Sequence, residues 1–294
     1  MALIQRFLVL IPLFFSFITI VLINLVLFAG NQQGFMEDYA IIRFNTSVLG
    51  QTIVRNSDSD NNKSIVGKNL ARDSLDDSLD DLFNDLTANM AALLGISDWY
   101  SIHITNACQG EFVHNATSYG SLNTTSCTHL SRSNQFNFTR ILNQEMTAGP
   151  FGLGLADINW PDAIQDKINN FNNALLAFYI FFIIGVSSSG VSMLAGVLVF
   201  FFGDKRIMLF ANIIPTTLAA IIITLGCIII TAASSIAVNA INKAGAKITL
   251  VADKGVNFYI ISWTAAVFII LSTLFWITRL AILRKKEKEG YKNF

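Results

Sequence analysis

Two cysteines and three histidines crowd into one part of this 294-residue chain: Cys108 and Cys127, with His103, His114 and His129 around them. Thiols and imidazoles in such proximity could ligate zinc as a Cys2His2 set, or the two thiols could pair as a disulfide. Five N-x-Ser/Thr sequons, at Asn45, Asn62, Asn115, Asn123 and Asn137, lie in the same interval between the first two long apolar runs. Glycans and disulfides both form on the lumenal or extracellular side of a membrane, so the neighbourhood and the irregular spacing favour a Cys108–Cys127 disulfide over a metal. Closing that loop is worth about 3 kcal/mol by chain entropy.

Other residue patterns carry weaker chemistry. Asp76, Asp77, Asp80 and Asp81 could gather calcium, but they lack the glycine and terminal glutamate of an EF-hand loop and read as a solvated acidic face. Gly185-Val-Ser-Ser-Ser-Gly190 has the wrong spacing for a nucleophile elbow and lies in an apolar run; Gly152-Leu-Gly154 is a lone signal. No acid–base constellation is visible, so the chain reads as no enzyme, with no catalytic residue, cofactor or metal expected. Nothing points to nucleic acid.

The elements that position these residues are set by composition. The chain is 53% hydrophobic and only 14% charged, with a mean hydropathy of +0.52, too apolar for a soluble domain. Four runs exceed the about 20 apolar residues that cross a bilayer. They predict spans at 7–29, 174–202, 207–238 and 256–277. Charge is sorted around them. Residues 30–173 hold eight Lys/Arg against sixteen Asp/Glu, while the terminus before span one, the 203–206 turn and the 278–294 tail hold nine basic against three acidic. The positive-inside rule then places residues 1–6, the 203–206 turn and the tail in the cytoplasm, and 30–173 and the short loop 239–255 outside. Arg284, Lys285, Lys286 and Lys288 in the tail face anionic lipid or act as a stop-transfer signal. A cleaved signal peptide is the alternative reading of the first run.

No Asp, Glu, Lys, Arg or His falls inside a span, which argues against a pump or secondary transporter. Gly185, Ser188, Ser189, Ser192 and Gly196 recur at helical spacing in span two, for packing inside the bundle or for association with other copies. Pro215 predicts a kink in span three, relieved by Thr216 or Thr217.

Within 30–173, Tyr39–Val54 predicts one or two short strands. Leu75, Leu79, Leu82, Leu86, Met90 and Leu93 predict a helix over 73–94. Alternation in Tyr100–Thr105 predicts a strand, paired across a Gln109-Gly110 turn with Glu111–His114. Residues 161–177 predict a helix capped by Asn159, with Ile164, Ile168, Phe171 and Leu175 on its apolar face, running into span two. The fold class is a four-helix transmembrane bundle with a small disulfide-stapled α+β domain in the first outer loop.

Asp98-Trp99-Tyr100-Ser101-Ile102-His103, followed by Asn106-Ala107-Cys108-Gln109-Gly110 and then Cys127, resembles the hallmark of the fungal SUR7/PalI family, with Trp99, Tyr100, Ser101, His103, Cys108 and Gly110 as the motif. The Pro161–Asp166 segment and the four-span plan are similar too. Gln109 stands where the family commonly has an acid, Ile104-Thr105 where an aromatic is common, and the tail is short. The Gly-Leu-Trp of the distantly similar claudins is lacking. The resemblance implies a glycosylated plasma-membrane protein of static cortical patches, the eisosome type, tied to cell wall integrity, endocytosis and stress or sporulation. Implied partners are membrane lipids, other patch proteins, cell wall polymers and further copies of the chain. The alternative it implies is an accessory subunit or sensor in PalI-like pH or cell-wall signalling.

Overall fold

The computed structural model describes residues 7–49, 90–113, 122–130, 135–150, 152–158, 160–161, 163–203 and 205–292. In chain order the elements are α1 (Leu10–Phe28), a 3-10 turn (Glu37–Tyr39), β1 (Ile42–Asn45), α2 (Met90–Leu94), β2 (Trp99–Ile102), β3 (Asn106–Phe112), β4 (Leu122–His129), α3 (Phe138–Ala148), α4 (Ala163–Phe202), α5 (Arg206–Gly245), a second 3-10 turn (Ala246–Ile248), β5 (Val251–Lys254) and α6 (Val256–Lys292). Helices α1, α4, α5 and α6 are each long and apolar enough to cross a membrane. The chain divides into two units: a helical one of residues 1–28, 174–232 and 256–294, and a sheet unit of residues 29–173 and 233–255.

Lipid tails give helices no hydrophobic reason to associate, so close packing and neutral hydrogen bonds must hold the helical unit together. Ser16 and Ser272 hydroxyls join α1 to α6 at 3.1 Å, and Thr19 donates to the Ala265 carbonyl at 3.4 Å. Ser192 on α4 donates to the Asn212 carbonyl at 3.5 Å, and Thr273 on α6 donates to the Thr216 carbonyl at 3.2 Å. A Cβ on Gly185 would come within 2.5 Å of Ile223, and one on Gly196 within 2.8 Å of Leu13. With Ser189 and Ser192 buried as well, the small residues of span two serve packing inside the bundle. Thr216 beside Pro215 donates to the Asn212 and Ile213 carbonyls. Asn212 is fully buried, a neutral polar group that a search for charges in the spans passes over.

The sheet unit is built on five antiparallel strands in the order β4-β3-β2-β1-β5. One face is apolar. Phe44 stacks on Phe138 with ring centroids 4.5 Å apart, Tyr100 meets Phe138 edge-on, and Phe138, Leu142 and Met146 are the buried stripe of α3. Asn137 caps α3, its side-chain oxygen accepting from the Arg140 amide at 2.9 Å. Ile164, Ile168, Phe171 and Leu175 of α4 are buried, as their spacing predicts, and α4 does run on without a break through Phe202.

Two expectations change. The tight turn lies between Ile102 and Asn106, where the His103 amide donates to the Asn106 carbonyl at 2.8 Å. Cys108, Gln109 and Gly110 sit inside β3, with a register shift between Gln109 and Gly110. A glycine in a strand pattern here marks a bulge and a close approach, not a turn. Of the one or two short strands expected in Tyr39–Val54, β1 forms among the described residues. Reading 239–255 as a connecting loop leaves out β5, which pairs with β1 and makes it an interior strand. Four residues carry too short an alternation to announce such a strand. The Asn159 cap and residues 73–89 of the predicted helix lie outside the described residues; Met90–Leu94 is helical.

Asn242 closes the outer edge of β5. Its amide donates to the Ala252 carbonyl at 2.9 Å and accepts from the Ala252 amide at 2.6 Å, standing in for a sixth strand. Asn242→Leu should therefore cost about 2 kcal/mol, by leaving two backbone groups unpaired. Hydrogen exchange at 251–254 reads this directly; unchanged protection of Ala252 would count against it.

Candidate functional site

The strand registers place five residues in one transverse row: Asp253 on β5 opposite Arg43 on β1, Arg43 opposite Ser101 on β2, Ser101 opposite Cys108 on β3, and Cys108 opposite Cys127 on β4. This is the polar face of the sheet. Period-two alternation puts Trp99, Ser101 and His103 of the motif there, while Tyr100 joins the apolar face.

Glu37 closes the row from above. Gly30 and Met36 adopt left-handed backbone, with φ of 71° and 53°, and the Gly30 amide donates to the Phe35 carbonyl at 3.0 Å. That loop delivers Glu37 to the sheet. One carboxylate oxygen, Oε1, accepts from the Ser101 hydroxyl and lies 3.1 Å from His103 Nε2. Arg43 donates to the Glu37 carbonyl oxygen at 2.9 Å, with its guanidinium 5.8 Å from the Trp99 ring centroid. Burial would push the Glu37 carboxyl up, but the hydrogen bond and charge of His103, the Ser101 hydroxyl and the charge of Arg43 outweigh it and hold the group below its ordinary value.

Serine, histidine and glutamate in contact invite a comparison with hydrolytic triads. A triad uses both imidazole nitrogens, one for the nucleophile and one for the acid. Here the Ser101 hydroxyl, 3.3 Å from Nε2, and the Glu37 carboxylate converge on the same nitrogen, and the hydroxyl donates its hydrogen bond to the carboxylate. Ser101 and His103 are 0% exposed and Glu37 6%. The cluster has neither the geometry nor the access for nucleophilic catalysis.

Cys108 and Cys127 form a disulfide, with their Cα atoms 4.0 Å apart across β3 and β4. The expected zinc alternative is not assembled among the described residues. His129 Nδ1 pairs with Asn106 Oδ1 at 2.9 Å, and His114 lies outside the described residues. Ligand atoms of Glu37, His103 and Cys108 do fall within 4.8 Å of one another, but the Cys108 sulfur is spent in the disulfide.

The remaining motif residues are structural. The Tyr100 hydroxyl donates to Glu145 on α3 and accepts from the Ser97 amide at 3.2 Å. Burial, followed by the Glu145 charge, keeps the phenol far above its usual range and therefore protonated. Gln109 donates to the other Glu145 oxygen at 2.8 Å, so its neutral amide suits a site already holding a carboxylate. A Cβ on Gly110 would overlap the Asn123 carbonyl and come within 2.5 Å of Trp99 Cζ2. Gly110→Ala should cost about 3 kcal/mol by overpacking. A variant with the wild-type denaturation midpoint of the sheet unit would disprove that reading.

Glu37, Arg43, Glu145 and Asp253 are the participants that sequence reasoning missed. Glu37 left one signal: it is the first charge after Arg6. Of the sequons, Asn123 is exposed on β4 and Asn137 exposed at the α3 cap; Asn45 is half-buried in β1, with its Oδ1 accepting from Ser47 at 2.7 Å. Asn62, Asn115 and the four aspartates at 76, 77, 80 and 81 lie outside the described residues. Arg284, Lys285, Lys286 and Lys288 lie on α6, and Arg284 stacks over Phe210 at 5.8 Å.

Four spanning helices, with a disulfide-stapled sheet drawn largely from the interval between the first two, define a multi-pass membrane protein. A sequence model of the SUR7/PalI family matches residues 8–275, and the chain belongs to that family. No curated protein and no solved structure matches the chain.

Proposed function

We propose that the chain is a non-enzymatic organiser of static cortical domains in a fungal plasma membrane, of the eisosome type, supporting wall integrity, control of endocytosis and stress or sporulation. One observation carries this. The side chains of the family motif pack and bond within the sheet unit, through Glu37, Glu145, the disulfide and the Trp99–Gly110 contact. The motif thus reads as internal scaffolding of the sheet unit, which supports a structural role. In this reading both termini are cytoplasmic, as the charge asymmetry supports. The sheet unit faces the wall with glycans at Asn123 and Asn137. The exposed basic turns of α6 lie against anionic lipid at about 1 kcal/mol per near-surface Lys/Arg.

Its partners would be lipids, other patch proteins and further copies of the chain, with wall polymers on the outer side. Imaging of a tagged copy in living fungal cells tests the reading. Immobile cortical puncta are expected; a diffuse or internal-membrane signal defeats it. Co-purification with a signalling receptor in the absence of puncta would favour an accessory subunit instead.

A further inference from the structure

The Cys108–Cys127 bond ends beside two groups whose hydrogen-bonding capacity is not used up. Glu37 Oε2 and His103 Nδ1 are buried without a hydrogen-bond partner. His103 Nε2 and Glu37 Oε1 are 3.1 Å apart, and the Cys108 sulfur lies within 4.8 Å of both ligand groups. Cys127 stands directly across the ladder from Cys108. Tetrahedral zinc holds sulfur at about 2.3 Å and nitrogen or oxygen at about 2.0–2.2 Å, so its ligand atoms sit roughly 3.3–3.8 Å apart. The imidazole–carboxylate pair is already close to that spacing. Breaking the disulfide frees both sulfurs to move the remaining distance.

We propose that the reduced form of this site binds one Zn2+ through the Cys108 and Cys127 thiolates, His103 Nε2 and the Glu37 carboxylate, so that disulfide and zinc are alternative staples for the same two strands. The reductant is a dithiol, such as that of an oxidoreductase that attacks the closed Cys108–Cys127 bond. Thiol–disulfide exchange converts the dithiol to its own disulfide and leaves two protein thiols; Zn2+ then displaces their two protons. Two thiolates and one carboxylate against a divalent ion leave one negative charge. Arg43, which donates to the Glu37 carbonyl at 2.9 Å and also lies 3.9 Å from Asp38, places a positive charge beside that site. The ion would occupy the side of β4 that faces Glu37 and hold β3 to β4 while the covalent bond is open. This inference stands apart from the organiser reading and survives its failure.

The full-length chain in lipid nanodiscs tests it, with Zn2+ alone, and Co2+ as a spectroscopic substitute. After reduction by a phosphine, one zinc per chain is expected, with none on the oxidised protein. Cobalt should give a thiolate charge-transfer band. Glu37→Gln and His103→Ala should each weaken zinc binding about 100-fold. C108S/C127S should bind none while keeping its far-ultraviolet dichroism. Equal uptake by oxidised and reduced protein would overturn the site. So would uptake indifferent to both Glu37→Gln and His103→Ala, or a reduced protein that loses its sheet signal in the presence of zinc.

Discussion

Glu37→Ala will destabilise the sheet unit by about 3–5 kcal/mol, the range for removing one member of a buried ion-paired network. The loss is large because Glu37 is the shared acceptor. Without it the Ser101 hydroxyl and His103 Nε2 lose their carboxylate in a site that water does not reach. Arg43 keeps its bond to the residue-37 carbonyl but loses the charge it stabilises. The turn that carries Glu37 also seats Gly30, where a Cβ would press within 2.5 Å of His103 Cγ, so the imidazole packs directly on that turn. Hydrogen exchange on the β2 and β3 peptides, followed through a denaturant series, measures the change. Midpoints equal to wild type would sink the assignment.

The same carboxyl sets a pH dependence with a definite sign. Its folded pKa lies below the ordinary 4.5, so the unfolded chain binds its proton first as acid is added. The stabilisation is therefore fully present above about pH 4.5 and fades as pH falls through the folded value. Other carboxylates titrate in the same window, and the difference between wild type and Glu37→Gln isolates this one. Parallel stability curves for the two proteins from pH 6 down to about pH 3 would contradict the network.

Removing the disulfide as C108A/C127A should cost about 3 kcal/mol, within the usual range of roughly 2–4. The effect should be local before it is global. Strand β4 buries little: most of its side chains are exposed, and it is the outermost strand of the sheet. Its hold on β3 rests on ladder hydrogen bonds and the covalent link. By contrast β1 and β2 bury nearly every side chain, and β5 edges the sheet under the Asn242 clamp. Amide protection at 122–129 should therefore fall first, with β1 and β2 still protected. Protection of β4 at wild-type level would show that packing holds the strand after all.

Much of this was legible in the residues. Four long uncharged apolar runs allow only membrane helices, because a bilayer leaves backbone groups no partner outside the helix itself. The pairing of Cys108 with Cys127 followed from having two cysteines in one sequon-rich interval. The helix over 161–177 was readable because Ile164, Ile168, Phe171 and Leu175 repeat with its period. Local pattern also placed β2, through the alternation from Tyr100.

What only the tertiary structure decided depends on distance along the chain. Nothing near Asp253 announces that it faces Arg43, about two hundred positions away, because β pairing is set by the sum of both faces of a finished sheet. Glu37 reads as a loop acid until Ser101 and His103 arrive beneath it. Gly110 reads as a turn until Trp99 covers it. Periodicity reports which side of an element is buried; it carries no information about which other element does the burying. The Trp-Tyr-Ser-x-His motif shows the difference plainly. Its residues were visible at once, and their roles as a clasp for Glu37, Glu145 and the disulfide appeared only when five strands from two separate intervals were brought into one sheet.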